Sequence, residues 1–131
     1  MSQIINNDDD PEVMAAMANA FKQMRERESR LKAEREVGEA ALRRLLPLAQ
    51  GNTGQCKVVA AVLLSLYNGS RFPLRPFELR GLDTAIFEDV LAVLRMDANA
   101  YQEVHCYFEN GEAIFEALAV DWGFVVEGGG V

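Results

Sequence analysis

The segment that most constrains the fold is residues 56–66, where only Lys57 and Ser65 interrupt an apolar run. A helix that is hydrophobic on nearly every face has to be buried, so other elements must surround it. Asn68-Gly69 ends the run with a turn signal. Half of the 131 residues are hydrophobic and a quarter are charged, which is ordinary globular composition with enough apolar material for one core.

Three further segments have apolar residues at helical spacing, namely residues 41–48, 83–97 and 111–122. Pro47 is expected to bend or end the first of them, and Gly123 closes the last. Between the central apolar run at 56–66 and the segment at 83–97 lies a proline-containing loop at 70–82. We expect this loop to hold its apolar side chains against the core, namely Phe72, Leu74, Phe77 and Leu79. Asn52 with Gln55 resembles a capping box for the central helix.

The N-terminal third predicts a separate helix with a different surface. Asp10-Pro11-Glu12 is a strong helix start, because it combines an N-cap carboxylate, a proline at the first helical position and a further acid. An apolar stripe follows, consisting of Val13, Met14, Met17, Phe21 and Met24. Residues 25–39 are then densely charged, which favours an exposed helical arm with Gly38 as a hinge.

The predicted fold is therefore mainly α: a compact bundle of about four helices, preceded by a long, charged N-terminal helix. We assign 1–10 as a disordered acidic N-terminus, 11–40 as the arm, 41–123 as the compact domain and 124–131 as a flexible tail. One short extended segment near Val104–Phe108 is an open alternative, since Val104, Cys106 and Phe108 alternate as they would in a strand.

Charge is distributed unevenly along the chain, whose net charge is −7. The first 42 residues carry −3, residues 43–82 carry +5, and the remainder carries −9. The basic middle and acidic end either neutralise one another across the fold or leave an acidic surface that steers a basic partner. Candidates for partner binding are Arg71, Arg75, Arg80, Glu88, Asp89, Glu112 and Glu116, and those for self-association are Val13, Met17, Phe21 and Met24.

Nothing in the sequence indicates catalysis, a metal or another cofactor. The segment from Gly51 to Lys57 has the wrong spacing for a phosphate loop. Cys56, His105 and Cys106 supply at most three soft metal ligands, and we expect the adjacent pair to point apart in an extended segment. No neighbouring residue suggests a lowered pKa for either thiol. Two cysteines, a polar start and no long apolar run predict a cytoplasmic protein without a membrane span.

Four segments carry a resemblance to a known family: LLPLAQGNTGQ at 45–55, LLSLYNGSRFPL at 63–74, LDTAIFEDVLAVLRMD at 82–97 and EVHCYFENGEAIFEALAVDWG at 103–123. They resemble a bacterial domain family of unknown function found in short accessory proteins of plasmids, integrative elements and phages. The resemblance implies a compact helical domain and a mobile-element setting. It implies no catalytic role for any residue here, and it does not cover the arm.

The function that we expect is protein–protein binding by a non-enzymatic, self-associating regulatory protein. The first alternative is an inhibitor of a host nucleic-acid-processing complex, of the anti-CRISPR or anti-restriction type, that uses the acidic surface. The second is an accessory protein that binds nucleic acid through the basic middle segment. Direct binding of nucleic acid is disfavoured by the net negative charge.

Overall fold

The computed structural model describes residues 10–124 and confirms the mainly α fold, with no strand in that range. Its α-helices are α1 (Pro11–Ala49), α2 (Gly54–Tyr67), α3 (Thr84–Ala98) and α4 (Gly111–Trp122). Two 3-10 helices, Pro76–Gly81 and Val104–Tyr107, lie in the connections. Of the predicted disordered N-terminus (1–10) and flexible tail (124–131), residues 1–9 and 125–131 lie outside the described residues, whereas Phe124 packs against the core.

The chain divides into two compact units, one ending at Ala33 and the other beginning at Glu34. In the first, α1 begins as predicted: the backbone N–H of Glu12 donates to Asp10 Oδ1 over 2.8 Å. Among residues 10–124, no helix combines the length and apolarity that a bilayer span requires.

The second unit is a bundle around α2, as its apolar sequence predicts. Val59, Ala60, Val62, Leu63 and Leu64 of α2 are all fully buried. The other helices contribute side chains at spacings of three and four to the same core, including Leu42 and Leu45 from α1, Val90 and Val93 from α3, and Phe115 and Leu118 from α4. No polar or charged residue among those described is buried in this core.

The end of α1 and the start of α2 differ from the prediction. Pro47 does not end α1, which continues to Ala49, because a proline in the last turn removes only one of the final hydrogen bonds. The N-cap of α2 is Thr53 rather than Asn52, and its hydroxyl accepts from the N–H of Cys56. Gln55 instead bonds to Asp83: its Oε1 accepts from the Asp83 N–H at 2.6 Å.

Gly38 lies within α1, where the sequence suggested a hinge, but it is buried against α3. A Cβ atom there would come within 2.8 Å of Met96 Sδ and 3.0 Å of the Ala92 carbonyl oxygen. Glycine is required at this position because the helices approach closely, and α1 runs through it without interruption.

The possible extended segment near Val104–Phe108 is wrong, since Val104–Tyr107 forms a 3-10 helix. Because no described strand lies beside this segment, its backbone groups form hydrogen bonds within the segment itself. The N–H of Phe108, for example, donates to the His105 carbonyl at 3.2 Å. Gly111 packs so closely on that carbonyl that no side chain would fit. The expectation that Phe77 covers the core is also wrong, because its side chain is 62% exposed.

Candidate functional site

The apolar stripe in the first unit remains largely uncovered. Four of its side chains are about half exposed: Met14 (54%), Met17 (45%), Phe21 (53%) and Met24 (56%). Val13 is partly buried. The four follow one another at spacings of three, four and three, so they share one face of α1. No charged residue lies between Val13 and Phe21.

Arg71 and Glu116, both predicted as partner-binding residues, pair with each other. The guanidinium makes two hydrogen bonds to the carboxylate, Nη1 to Oε2 at 2.6 Å and Nη2 to Oε1 at 3.0 Å. The Tyr67 hydroxyl donates to the same Oε2 at 2.6 Å. Arg71 lowers the pKa of Glu116 to about 2, with a further contribution from Tyr67. Burial, aided by Glu116, raises the pKa of Tyr67 to about 12.

Asp89, another predicted partner-binding residue, forms an ion pair with an arginine from the basic middle segment. Arg44 on α1 reaches it through Nε and Nη2, at 3.0 and 2.8 Å from the two carboxylate oxygens. The basic middle and the acidic end therefore neutralise one another at two places in the second unit. Glu88 and Glu112 are exposed and make no ion pair with any residue from 10 to 124.

Arg75 and Arg80 line two different depressions. Arg75 contributes to a cavity of about 320 Å³ together with Lys57, Ala61, Arg71, Phe72, Pro73, Glu78 and Phe124. Arg80 lines a shallower groove of about 440 Å³ formed by Pro76, Leu79, Leu82, Thr84 and Phe87. The predicted arginines thus do not form one surface, and only Arg71 and Arg75 share a cavity.

Lys57 and Phe124 were missed as candidates for a site. A signal for Lys57 was present in the sequence, because it is the only charge in the apolar run at 56–66. Phe124 offers no such signal. The Lys57 ammonium lies 5.8 Å from the centre of the Phe124 ring, and the Arg71 guanidinium lies 4.7 Å from that of Phe72. Cations at these distances from aromatic faces are attracted to them.

The prediction that the side chains of His105 and Cys106 point apart is wrong. The 3-10 turn brings the thiol to 3.6 Å from His105 Nε2. The imidazole packs edge-on against the Tyr67 ring with centroids 5.0 Å apart, and its buried Nδ1 has no hydrogen-bond partner among the described residues. In many nucleophile–base pairs a third group orients the base; among the described residues, none hydrogen-bonds the other ring nitrogen of His105.

The pKa of the Cys56 thiol also differs from the expectation that neither thiol has a lowered pKa. Its buried thiol accepts a hydrogen bond from the Thr53 hydroxyl at 3.0 Å, and this contact lowers the pKa of the thiol. Within residues 10–124, no three His, Cys, Asp or Glu side chains converge in a way that could hold a metal ion.

In a comparison with protein families, residues 39–123 match the model of a family of unknown function (DUF7673). The match begins in the second half of α1 and ends just after α4, so it covers the bundle and leaves out the exposed stripe. No curated protein and no solved structure shows a significant match to the chain.

Proposed function

The chain belongs to the family of unknown function DUF7673, and we propose that it is a non-enzymatic interaction protein that self-associates through the apolar stripe of α1. In this proposal the family domain carries the contacts to other partners. The stripe, which lies outside the family match, brings two copies together.

One observation carries the proposal: Met14, Met17, Phe21 and Met24 share a helix face and are each about half exposed. Scattered single apolar residues on a surface are ordinary, but a contiguous set at helical spacing is typical of an interaction site. Alanines lie beside the stripe, at Ala16, Ala18 and Ala20. Small side chains there leave room for another helix to approach closely.

The spacing of the stripe supports a second copy, in antiparallel orientation, as its partner. The four exposed residues are arranged symmetrically about residue 19. A two-fold axis at the level of Asn19 would therefore set Met14 opposite Met24 of the other copy, and Met17 opposite its Phe21.

The expected association is weak. Covering the exposed half of each large apolar side chain gains on the order of 1 kcal/mol, so the eight in a pair gain about 8 kcal/mol. Association of two molecules costs roughly 4–15 kcal/mol. We therefore expect a dimer that dissociates on dilution.

Sedimentation equilibrium of the full chain over a wide concentration range tests the proposal. Phe21→Glu puts a charge in the stripe, and Asn19→Glu makes the same change in charge on the opposite face of the helix. We expect Phe21→Glu to remain a monomer, and Asn19→Glu to associate like the unmodified protein. A concentration-independent monomer mass for the unmodified protein, or association of Phe21→Glu, would show that the stripe does not mediate self-association.

The proposal also includes a mobile-element setting and a cytoplasmic location. The resemblance of the four segments at 45–123 to accessory proteins of plasmids, integrative elements and phages supports the setting. The thiols of Cys56 and Cys106 are both free, and this is the state expected in a reducing compartment.

An inhibitor that uses an acidic surface against a host nucleic-acid-processing complex is the second candidate. Glu88 and Glu112 favour it, since both are exposed and neither is neutralised by a described base. Salt-sensitive binding to such a complex, lost in a Glu88→Lys, Glu112→Lys variant, would support it. Nucleic-acid binding through the basic middle is less favoured, because Arg43 and Arg44 are already paired with acids.

A further inference from the structure

The cavity beside the first turn of α2 concentrates positive charge in a domain that is otherwise acidic. From Glu34 to Phe124 the chain has thirteen acids and eight bases. Three of those eight bases, Lys57, Arg71 and Arg75, line this one cavity, and Glu78 is the one acid among its described lining residues. Such a distribution favours an anion inside the cavity over one elsewhere on the domain.

Two of these cations are available for a ligand. Neither Lys57 nor Arg75 makes an ion pair with any residue that the structure describes. Arg71 is fixed in place by Glu116 through one hydrogen bond from each Nη atom. Because a guanidinium has five N–H donors, Arg71 retains donors after this pairing and presents them at a fixed position.

The loop that supplies the arginines is anchored at its start by Asn68. The Asn68 side-chain oxygen accepts from the Arg71 N–H at 3.2 Å, and its carbonyl accepts from the Phe72 N–H at 2.9 Å. Phe72 is 6% exposed and holds the loop on the core. The cavity is therefore built by packed residues, which reduces the ordering cost of binding.

The walls of the cavity include aromatic and other apolar side chains. Phe124, Phe72 and Pro73 line it together with the small side chain of Ala61. Its volume of about 320 Å³ lies at the lower end of the roughly 300–1,000 Å³ range of small-molecule sites. Arginine matches the geometry of phosphate oxygens. We propose that this cavity binds a small phosphate monoester that carries a planar ring, of which a nucleoside monophosphate is the simplest example.

This inference does not depend on self-association, because every residue involved lies in the unit that begins at Glu34. Isothermal titration of the full chain with adenosine monophosphate, inorganic phosphate and adenosine separates the contributions of the two parts of the ligand. We expect the monophosphate to bind at least about tenfold more tightly than either fragment, because inorganic phosphate lacks the base that stacks and adenosine lacks the charged group that accepts hydrogen bonds.

Matched variants identify the site. Arg75→Ala should weaken the monophosphate and inorganic phosphate alike by about tenfold, since a hydrogen bond to a charged group is lost. Phe124→Ala should weaken only the monophosphate. Arg80→Ala, which removes the same charge from the separate groove, should leave both affinities unchanged.

Three results of the ligand titrations would overturn the proposal. The first is no heat of binding from the monophosphate at millimolar concentration, and the second is equal affinity for inorganic phosphate and the monophosphate. The third is tighter binding of a single-stranded oligonucleotide. The last would assign the cavity to nucleic acid. A loss of affinity in Arg80→Ala equal to that in Arg75→Ala would show that general charge, and not this cavity, holds the ligand.

Discussion

Arg71 and Glu116 face each other through two parallel hydrogen bonds that join the loop after α2 to the middle of α4. The pair is 45 residues apart in the sequence, and Tyr67 completes it from the last turn of α2. Three elements of the bundle are thus tied at one point, next to the cavity that Arg71 lines. Charge-assisted bidentate pairs fix geometry as well as adding stability.

This pairing predicts a loss of stability in acid. The pKa of Glu116 is about 2 in the folded protein, below its ordinary value of 4.5, so its contribution is fully present above pH 4.5 and is lost as the pH falls toward 2. Both side chains are about 40% exposed, so solvent screening limits the contribution to about 1 kcal/mol. Urea unfolding between pH 6 and pH 2 should show a smaller decline in Glu116→Gln.

Glu112→Gln is the control, because Glu112 lies on the same helix and makes no ion pair within residues 10–124. It should keep the acid decline of the unmodified protein. Identical pH profiles for Glu116→Gln and the unmodified protein would contradict the lowered pKa of Glu116.

Tyr67 predicts a separate effect in alkali. Its pKa is raised from 10 to about 12, chiefly by burial and then by Glu116, so its contribution to stability is present below pH 10 and is lost as the pH rises toward 12. The difference in tyrosinate absorbance between the unmodified protein and Tyr67→Phe should give a titration centred near pH 12. In a Glu116→Gln background the midpoint should move down, and a midpoint near pH 10 in the unmodified protein would contradict the geometry.

Gly38→Ala should destabilise the bundle although alanine is the better helix former. Alanine gains about 1 kcal/mol in helix propensity. Its Cβ would overlap with Met96 and press on the Ala92 carbonyl, and overpacking of this kind costs about 1–3 kcal/mol. The difference between these two effects predicts a net loss of up to about 2 kcal/mol in urea unfolding.

Gly54→Ala is the matched comparison, since no atom lies within 4 Å of the added Cβ and the residue begins α2. It should leave stability unchanged or raise it. Equal stability of both variants would mean that α1 and α3 do not approach closely at Gly38.

The sequence was sufficient to predict features that depend on local chemistry. Asp10-Pro11-Glu12 correctly marked a helix start, and Gly123 closes α4 with a positive φ of 71°. The apolar run at 56–66 correctly indicated the central helix, because its burial follows from composition alone. Each of these signals lies within a few residues of the feature that it specifies.

Features that depend on three-dimensional approach were not predicted. Nothing near Arg44 in the sequence indicates Asp89 as its partner, because the pair forms only when α1 packs on α3. The alternation from Val104 to Phe108 left a short extended segment open as a possibility, yet the described residues provide no neighbouring strand and the segment folds into a 3-10 turn. The phosphate-binding candidate was missed for the same reason, since Lys57 and Arg75 meet at a cavity only in the folded bundle.

Trp122 closes the bundle by a hydrogen bond that can be tested on its own. Its indole Nε1–H donates to the Ala49 carbonyl at 2.7 Å, which joins the last turn of α4 to the C-terminus of α1. Trp122→Phe keeps an aromatic ring but removes the donor and part of the ring volume, so it should cost about 1–3 kcal/mol. Val120→Ala on the same helix alters a side chain that is 64% exposed and should change stability by about 0.5 kcal/mol or less. Urea unfolding followed by circular dichroism measures both variants, and equal midpoints would mean that this bond does not hold α4 to α1.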